Sequence, residues 1–337
     1  MPSMPVTPPS RRRVRRGLAC GLTIAGVLVT TAGTSRAEPY AAPGPLPAIT
    51  AGTLPARYAA EHRAIAAARG TARRVGDRAR AAALDAFLRP GRRFLSFDPR
   101  GGGQAAETLG DLTTARRVAV LVPGADTTLG AFDARPGRPW ATPGGGARAL
   151  SAQADRDGSG RGLAVVAWLG YAAPRMLSGG VLTDVRAGQG AVELRRFLAA
   201  LHRVNPAADV ALLCHSYGSV VCGRAARGPG FAAGSRVSDV ALYGSPGTTA
   251  WSAAAFGPAR VWAGRGRTDW MEDVPHVRFL GVGLGRDPVS PAFGARSFAA
   301  GPGGHSDYLR PGSPSLRNLT AIATGHPIAV TPASRRH

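Results

Sequence analysis

The segment from residue 212 to residue 219 constrains the fold of this 337-residue chain more than any other. Residues 209–213 are mostly apolar and predict a short buried strand, while the small residues at 219–226 predict the start of a helix. Ser216 therefore lies at the corner where a strand turns into a helix. This corner brings the two elements together and holds the serine in a strained backbone conformation, so it requires small neighbours such as Gly218.

A serine at this kind of corner is typical of the nucleophile of a serine hydrolase, where the surrounding sequence reads Gly-x-Ser-x-Gly. Here Cys214 occupies the position of the first glycine. The alternative interpretation is an ordinary Ser-Tyr-Gly loop after a buried strand. Because a short motif is only a hypothesis until its context agrees, the rest of the chain has to supply the partners of a catalytic serine.

A catalytic serine needs a base that accepts its proton and an acid that orients the base. His305 is the predicted base, because it lies in a glycine-rich loop directly after the last predicted strand. Asp269 is the preferred acid, since it follows the predicted strand at 260–263. Asp287 follows the apolar run at 277–282 and is the alternative acid, although an aspartate before proline is also a common turn former.

Hydrolysis through a serine also needs backbone N–H groups that stabilise a negative oxygen. One is predicted at Tyr217, directly after the nucleophile. The second is predicted at Ala125 or Asp126, in the loop after the strand at 117–122. Gly124 in that loop allows the backbone to approach a substrate, and the simpler interpretation is that Pro-Gly turns the chain there.

The pattern of apolar runs predicts an α/β fold with a mostly parallel, doubly wound sheet, because strands and helices alternate along the chain. The helices of residues 54–92, broken near Gly70, are predicted to form an N-terminal appendage beside this sheet. The loop at 170–188 has the length of a lid. The predicted strands are residues 93–97, 105–109, 117–122, 163–169, 209–213, 237–243, 260–263, 277–282 and 295–299.

The N-terminus predicts export. Residues 11–16 are almost all arginine, residues 17–33 are uncharged and apolar, and cleavage by signal peptidase is predicted after Ala37. The mature protein is expected to be secreted or in the cell envelope, with the membrane contacted only transiently through the signal peptide. The arginines leave the choice between the general and the twin-arginine pathway open. The predicted segments are a signal peptide (1–37), a linker (38–53), the helical segment (54–92), the main domain (93–325) and a tail (326–337).

All 42 basic residues are arginine, and the formal charge of +22 falls to about +16 without the signal peptide. Nucleic acid is not a predicted partner, since the arginines are dispersed and no nucleic-acid-binding motif accompanies them. The sequence contains no motif for a cofactor or a metal, and it does not predict the oligomeric state. Cys214 and Cys222 are interpreted as small buried residues in preference to a disulfide or a metal pair, and a bridge stays open only if the turn brings their Cα atoms within about 7 Å.

The chain resembles a largely uncharacterised actinobacterial family of α/β-hydrolases in a series of motifs that keep their order between residues 93 and 325. The resemblance implies the α/β-hydrolase fold, with Ser216 and His305 in the triad and the acid near Asp269. The matching motifs include Val120-Leu121-Val122-Pro123-Gly124, Ala167-Trp168-Leu169-Gly170-Tyr171, His215-Ser216-Tyr217-Gly218-Ser219 and Gly304-His305-Ser306-Asp307-Tyr308.

These observations predict an exported serine hydrolase, similar to a carboxylesterase, that acts on a small-molecule ester or related acyl compound. Two alternatives remain open at this point. One is a degenerate hydrolase fold that binds ligands at the envelope without turnover, and the other is a peptidase or acyltransferase with the same triad, because fold and triad do not determine the acyl acceptor.

Overall fold

The computed structural model describes residues 38–133, 135–176, 178–229, 231, 234–277 and 283–333, so the predicted signal peptide lies outside the described residues. The helices are α1 Leu54–Arg74, α2 Arg78–Phe87, α3 Pro143–Arg156, α4 Val185–Val204, α5 Gly218–Ala226 and α6 Pro314–Thr324. The strands are β1 Arg93–Asp98, β2 Gln104–Leu109, β3 Arg117–Val122, β4 Leu163–Leu169, β5 Asp209–His215, β6 Val237–Tyr243, β7 Arg260–Gly264 and β8 Arg296–Ser297.

The described strands form one sheet in the order β1-β2-β4-β3-β5-β6-β7-β8. Strand β2 pairs antiparallel with β1 and β4, and the other neighbours are parallel. The α/β fold with a mostly parallel sheet, predicted from the alternation of strands and helices, is therefore confirmed, and it is the fold that the resemblance to the α/β-hydrolases implied. Most of the predicted strand at 277–282 lies outside the described residues.

Helices cover both faces of the sheet because the central strands are apolar on both sides. Along β3, Val118 and Val120 join the core that contains α4 and α5, whereas Ala119 and Leu121 join the core that contains α3 and α6. This alternation follows from the two-residue period of a strand. None of the helices in the described ranges is long and apolar enough to cross a membrane.

The N-terminal helices pack on the same face as α3 and α6, through Ile65 of α1 and Phe87 of α2. Phe87 also contacts Phe132, in the loop after β3, with ring centroids 5.2 Å apart. The predicted break near Gly70 is displaced: α1 continues through this residue to Arg74. A single glycine costs a helix only about 1 kcal/mol, so it does not by itself end one.

The segment at 38–53, predicted as a linker, contacts these helices. Tyr40 is buried, and its hydroxyl donates to Asp77 at 3.0 Å. The carbonyl of Pro47 accepts from Arg57 Nη1 at 2.9 Å. These two hydrogen bonds attach the segment to α1 and to the turn before α2.

Different groups of polar residues lie at the two ends of the parallel strands. At the amino ends, the buried Asp239 accepts from Arg117 at 2.8 Å, from Arg260 at 2.7 and 2.8 Å, and from the indole of Trp262 at 3.1 Å. The carboxyl ends are followed by the loops that carry the predicted site residues. This is the edge at which open α/β sheets bind ligands.

Candidate active site

Ser216 lies at the turn between β5 and α5, with a backbone φ of 52°. An L-residue in this left-handed region is strained, and such strain concentrates at functional sites. Two glycines make the close packing around it feasible. A Cβ on Gly218 would lie 2.4 Å from the carbonyl oxygen of Val122, and a Cβ on Gly124 would lie 2.7 Å from Ser216 Cβ. The small neighbours expected at this corner are therefore required sterically.

A continuous chain of hydrogen bonds joins the three side chains Ser216, His305 and Asp269. His305 Nε2 lies 2.9 Å from Ser216 Oγ, and His305 Nδ1 lies 2.9 Å from Asp269 Oδ1. The serine and the aspartate are 4% and 2% exposed, so little water competes for these bonds. The geometry matches a nucleophile, a base and an orienting acid.

Asp269 lies in the loop that follows β7, and its carboxylate accepts hydrogen bonds from several donors. Besides His305, it accepts from the hydroxyl of Tyr308 at 2.5 Å and from the backbone N–H of Met271 at 2.9 Å. Burial disfavours the charged carboxylate, but the bonds and charge of His305 and the bond from Tyr308 outweigh it, so the pKa of Asp269 lies below its usual value. The acid is therefore ionised at neutral pH.

The alternative acid, Asp287, is used elsewhere. Its Oδ2 accepts from Arg265 Nη1 at 2.8 Å, and its Oδ1 accepts from the backbone N–H of Val289 at 3.1 Å. Its nearest ring nitrogen is that of His276, at 3.8 Å. The structure thus brings Asp269, and not Asp287, to His305. Asp287 acts as the turn former that its place before a proline suggests.

The predicted oxyanion donors, Tyr217 and Ala125, have backbone N–H groups without a hydrogen-bond partner in the described parts of the chain. Asp126, the other candidate, donates its N–H to the carbonyl of Pro174 at 2.9 Å, so this group is occupied. Its carboxylate accepts from the backbone N–H of Met176 at 3.0 Å. These two bonds hold the predicted lid loop against the loop after β3.

Cys214 and Cys222 form a disulfide, so their interpretation as two unbridged residues was wrong, although both are fully buried as expected. The turn at Ser216 carries α5 back along β5 and leaves the two Cα atoms 6.6 Å apart, within bridging range. Glycine usually occupies position 214 because strand and helix touch there. In this chain the side chain of Cys214 is accommodated because it is bonded to Cys222 of the helix that it contacts.

His215 contributes to the site, and the sequence reasoning did not single it out. Its Nε2 lies 2.8 Å from the backbone oxygen of His305, so it is the donor in this bond, and the two rings lie 4.8 Å apart. Burial, with a smaller effect from His305, lowers the pKa of His215 to about 3. The neutral ring therefore fixes the loop that carries His305. The sequence signal that could have found His215 is its position as the last residue of β5, which places it at the same edge of the sheet as the predicted site residues.

The site opens into a cavity of about 490 Å³. Ser216, His305 and Ala125 line this cavity together with the apolar side chains of Leu121, Met176 and Leu309. Trp270, which is 43% exposed, also lines the cavity, and its ring centroid lies 4.9 Å from that of His305. The cavity has the size and the mixed lining of a small-molecule site.

The chain is similar to uncharacterized mycobacterial proteins. It is 31% identical over 267 residues to the uncharacterized protein Rv2079 of Mycobacterium tuberculosis, covering 69% of this chain and 39% of that protein. It is 35% identical over 144 residues to the uncharacterized protein Rv0963c of the same organism, covering 37% and 52%. The chain thus spans between about two fifths and one half of these relatives.

Among solved structures, similar chains include esterase PE8, with 16% identity and a TM-score of 0.41 over 65% of this chain and 96% of that one. Another is an esterase of Pyrobaculum calidifontis, with 12% identity and a TM-score of 0.41 over 68% and 83%. The family model described as alpha/beta hydrolase matches residues 98–279. Because this match covers more than half of the chain, the protein belongs to the α/β hydrolase family.

Proposed function

We propose that the protein is an exported serine hydrolase that cleaves carboxylic esters through an acyl-enzyme intermediate. The observation that carries this proposal is the chain of hydrogen bonds from Ser216 through His305 to Asp269, in which Ser216 and His305 line the cavity. The N–H groups of Tyr217 and Ala125, which have no partner among the described residues, support it further, since they are available to a developing oxyanion. A cavity of about 490 Å³ fits a small acyl substrate.

In the first half of the reaction, Ser216 Oγ attacks the ester carbonyl while His305 Nε2 accepts the hydroxyl proton. The carbonyl oxygen becomes negative and accepts from the N–H groups of Tyr217 and Ala125. Asp269 keeps the Nδ1 proton in place and stabilises the imidazolium. His305 then gives its proton to the leaving alkoxide, so that an alcohol departs and the acyl group stays on the serine.

In the second half, a water molecule takes the place of the alcohol. His305 removes one of its protons, the oxygen attacks the acyl-enzyme, and the second tetrahedral intermediate collapses. The carboxylic acid leaves, and the proton returns to Ser216 Oγ. His215 and Tyr308 take no proton in this scheme, because they act only by positioning His305 and Asp269.

The test is labelling with a fluorophosphonate, followed by mass mapping of the modified residue. The wild type is expected to be labelled at Ser216 and to hydrolyse short 4-nitrophenyl esters, whereas Ser216→Ala is expected to lose both properties. Ser151→Ala in α3 is the matched control, since Ser151 lies on a helix away from the cavity lining. Undiminished labelling of Ser216→Ala would overturn the assignment.

Export is a separate part of the proposal. The disulfide between Cys214 and Cys222 supports it, because such bonds persist mainly in oxidising compartments. N-terminal sequencing of the protein recovered from a culture medium or envelope fraction tests it. A mature chain that begins at Glu38 is expected, and a chain that retains the arginines of residues 11–16 would contradict cleavage after Ala37.

A further inference from the structure

Arg135 lines the same cavity as Ser216 and His305. It lies in the loop between β3 and α3, where its carbonyl accepts from the N–H of Arg138 at 3.0 Å. Within the described residues, no hydrogen bond or ion pair is made by its guanidinium. Arg135 is exposed at this cavity, so a planar group with five donors is available to a ligand there without a partner among the described residues.

The nearest acid along the chain does not neutralise Arg135. Asp133 is bound by Arg92 Nη1 at 2.6 Å and also pairs with Arg148. Glu107 binds the same two arginines, with a distance of 2.6 Å to Arg92 Nε. These ion pairs hold the loop against β2 and α3 and occupy the carboxylates of Asp133 and Glu107. Within the described residues, no carboxylate forms an ion pair with Arg135.

The cavity lining also carries a negative charge, the carboxylate of Asp126. This carboxylate accepts from the N–H of Met176 at 3.0 Å, and within the described residues it forms no ion pair with Arg135. Arg310 lies over the ring of Trp140, a wall residue, with its guanidinium carbon 5.8 Å from the ring centre. After burial and His305, Arg135 is among the groups that lower the pKa of His215, which indicates that its charge reaches the site.

We infer that the cavity selects esters that carry an anionic group, and that the guanidinium of Arg135 binds this group. The inference rests on the proposed hydrolase function and deepens it by naming the substrate class. A guanidinium recognises carboxylates and phosphates through paired, charge-assisted hydrogen bonds. The acyl part or the alcohol part of the ester can carry the charge, and the test separates these two arrangements.

The experiment compares matched esters with the wild type, Arg135→Gln and Arg135→Lys. Mono(4-nitrophenyl) adipate against 4-nitrophenyl hexanoate tests an anionic acyl group, and 4-acetoxybenzoate against its methyl ester tests an anionic alcohol. For at least one pair, Arg135→Gln is expected to lower kcat/KM for the anionic ester roughly fivefold or more while the neutral ester changes less than twofold. Arg135→Lys should restore part of the loss, and added salt should weaken the wild-type preference.

Arg138→Gln is the control, because Arg138 is an exposed arginine of the same loop that does not line the cavity. It is expected to leave both ratios unchanged. Equal ratios for wild type and Arg135→Gln in both ester pairs would overturn the inference, as would an equal loss on neutral and anionic esters.

A binding measurement keeps the inference apart from the proposed function. Ser216→Ala is titrated with monomethyl adipate and with methyl hexanoate, and binding is followed by NMR. The anionic ester is expected to bind more tightly, and the additional change Arg135→Gln should remove the difference. A wild type that hydrolyses no ester but binds the anionic ester more tightly would contradict the proposed hydrolase function and still support the anion-binding role of Arg135. Equal binding of the two esters would reject the site even if the enzyme is active.

Discussion

Two buried aspartates lie at opposite ends of the parallel strands, and they differ in what holds them. Asp239, at the amino ends, is 1% exposed and is bound by Arg117, Arg260 and Trp262. Asp269, after the carboxyl ends, is 2% exposed and is bound by His305, Tyr308 and a backbone N–H. In both cases burial opposes ionisation, and hydrogen bonds outweigh it and lower the pKa.

The difference lies in the partners' ability to exchange a proton. An arginine is charged at any pH that the protein meets, so the partners of Asp239 hold a fixed charge distribution. A histidine gains and loses its proton near neutrality, so the charge next to Asp269 changes during a reaction. The first arrangement suits stability and the second suits catalysis, and exchanging carboxylate for amide at each place separates the two roles.

The largest expected effect is that of Asp269→Asn on activity. The amide carries no charge to stabilise the imidazolium, and its NH2 group donates to Nδ1, which holds the imidazole in the wrong tautomer for removing the proton of Ser216. We expect kcat to fall about 10,000-fold, equivalent to about 5 kcal/mol in the barrier. Asp287→Asn is the matched control, with less than a twofold change expected in the same ester assay. A large loss in Asp287→Asn alone would reverse the assignment of the acid.

Asp239→Asn is expected to affect stability instead. It leaves the positive charges of Arg117 and Arg260 without their shared carboxylate, and breaking a buried ion pair from one side costs about 3–5 kcal/mol. Urea unfolding measures this loss, and kcat of the folded fraction should stay within twofold of the wild type. If Asp239→Asn instead unfolds at the wild-type urea concentration, the view that this cluster stabilises the fold is wrong.

His215→Gln tests whether a histidine at the carboxyl ends of the strands makes the free energy of unfolding depend on pH. The pKa of His215 is about 3 when folded and about 6.5 when unfolded, so between these values the unfolded state binds more protons and stability falls as the pH falls. We expect the wild type to lose about 2.5 kcal/mol more than His215→Gln between pH 7 and pH 4.5. Parallel pH profiles of unfolding for the two proteins would contradict a ring that stays neutral in the folded protein.

Tyr308→Phe should give the smallest of these effects. It removes one donor from Asp269 and leaves the N–H of Gly266 without its acceptor, so that Asp269 is less well oriented. We expect kcat to fall about tenfold, the effect of about 1–2 kcal/mol from one lost buried hydrogen bond. The pKa of Asp269 should rise toward its usual value, which carbon NMR of the carboxyl group measures. An unchanged Asp269 pKa would show that the phenol is only a packing group.

The fold was predictable because its signals are local. Continuous apolar runs such as residues 117–122 identify strands buried on both faces, and their alternation with helices identifies a parallel sheet. Ser216 and His305 were predictable candidates for the same reason, since each follows a strand and therefore lies at the carboxyl edge. The choice between Asp269 and Asp287 was not predictable from local signals, because both residues follow apolar runs. Only the folded loops decide which carboxylate reaches the imidazole of His305.

Contacts between distant parts of the chain explain what the sequence did not predict. His215 and His305 are 90 positions apart, and no pattern near either residue indicates that one ring binds the other's carbonyl. The disulfide was not predicted for a geometric reason. Two cysteines eight residues apart come together only when a tight turn folds the helix back on the strand. The catalytic roles of these residues stay predictions until the variants are measured.

The disulfide at the elbow has a consequence for local unfolding. It links residues only eight apart, so the chain-entropy model assigns it a modest gain of about 2–3 kcal/mol over the unfolded chain. Within the folded protein, however, it prevents α5 from separating from β5, which is the movement that would let Ser216 leave its strained conformation. The amide hydrogens of α5 should therefore exchange with solvent as slowly as those of the central strand, and Ser216 should keep its backbone conformation until the sheet itself opens.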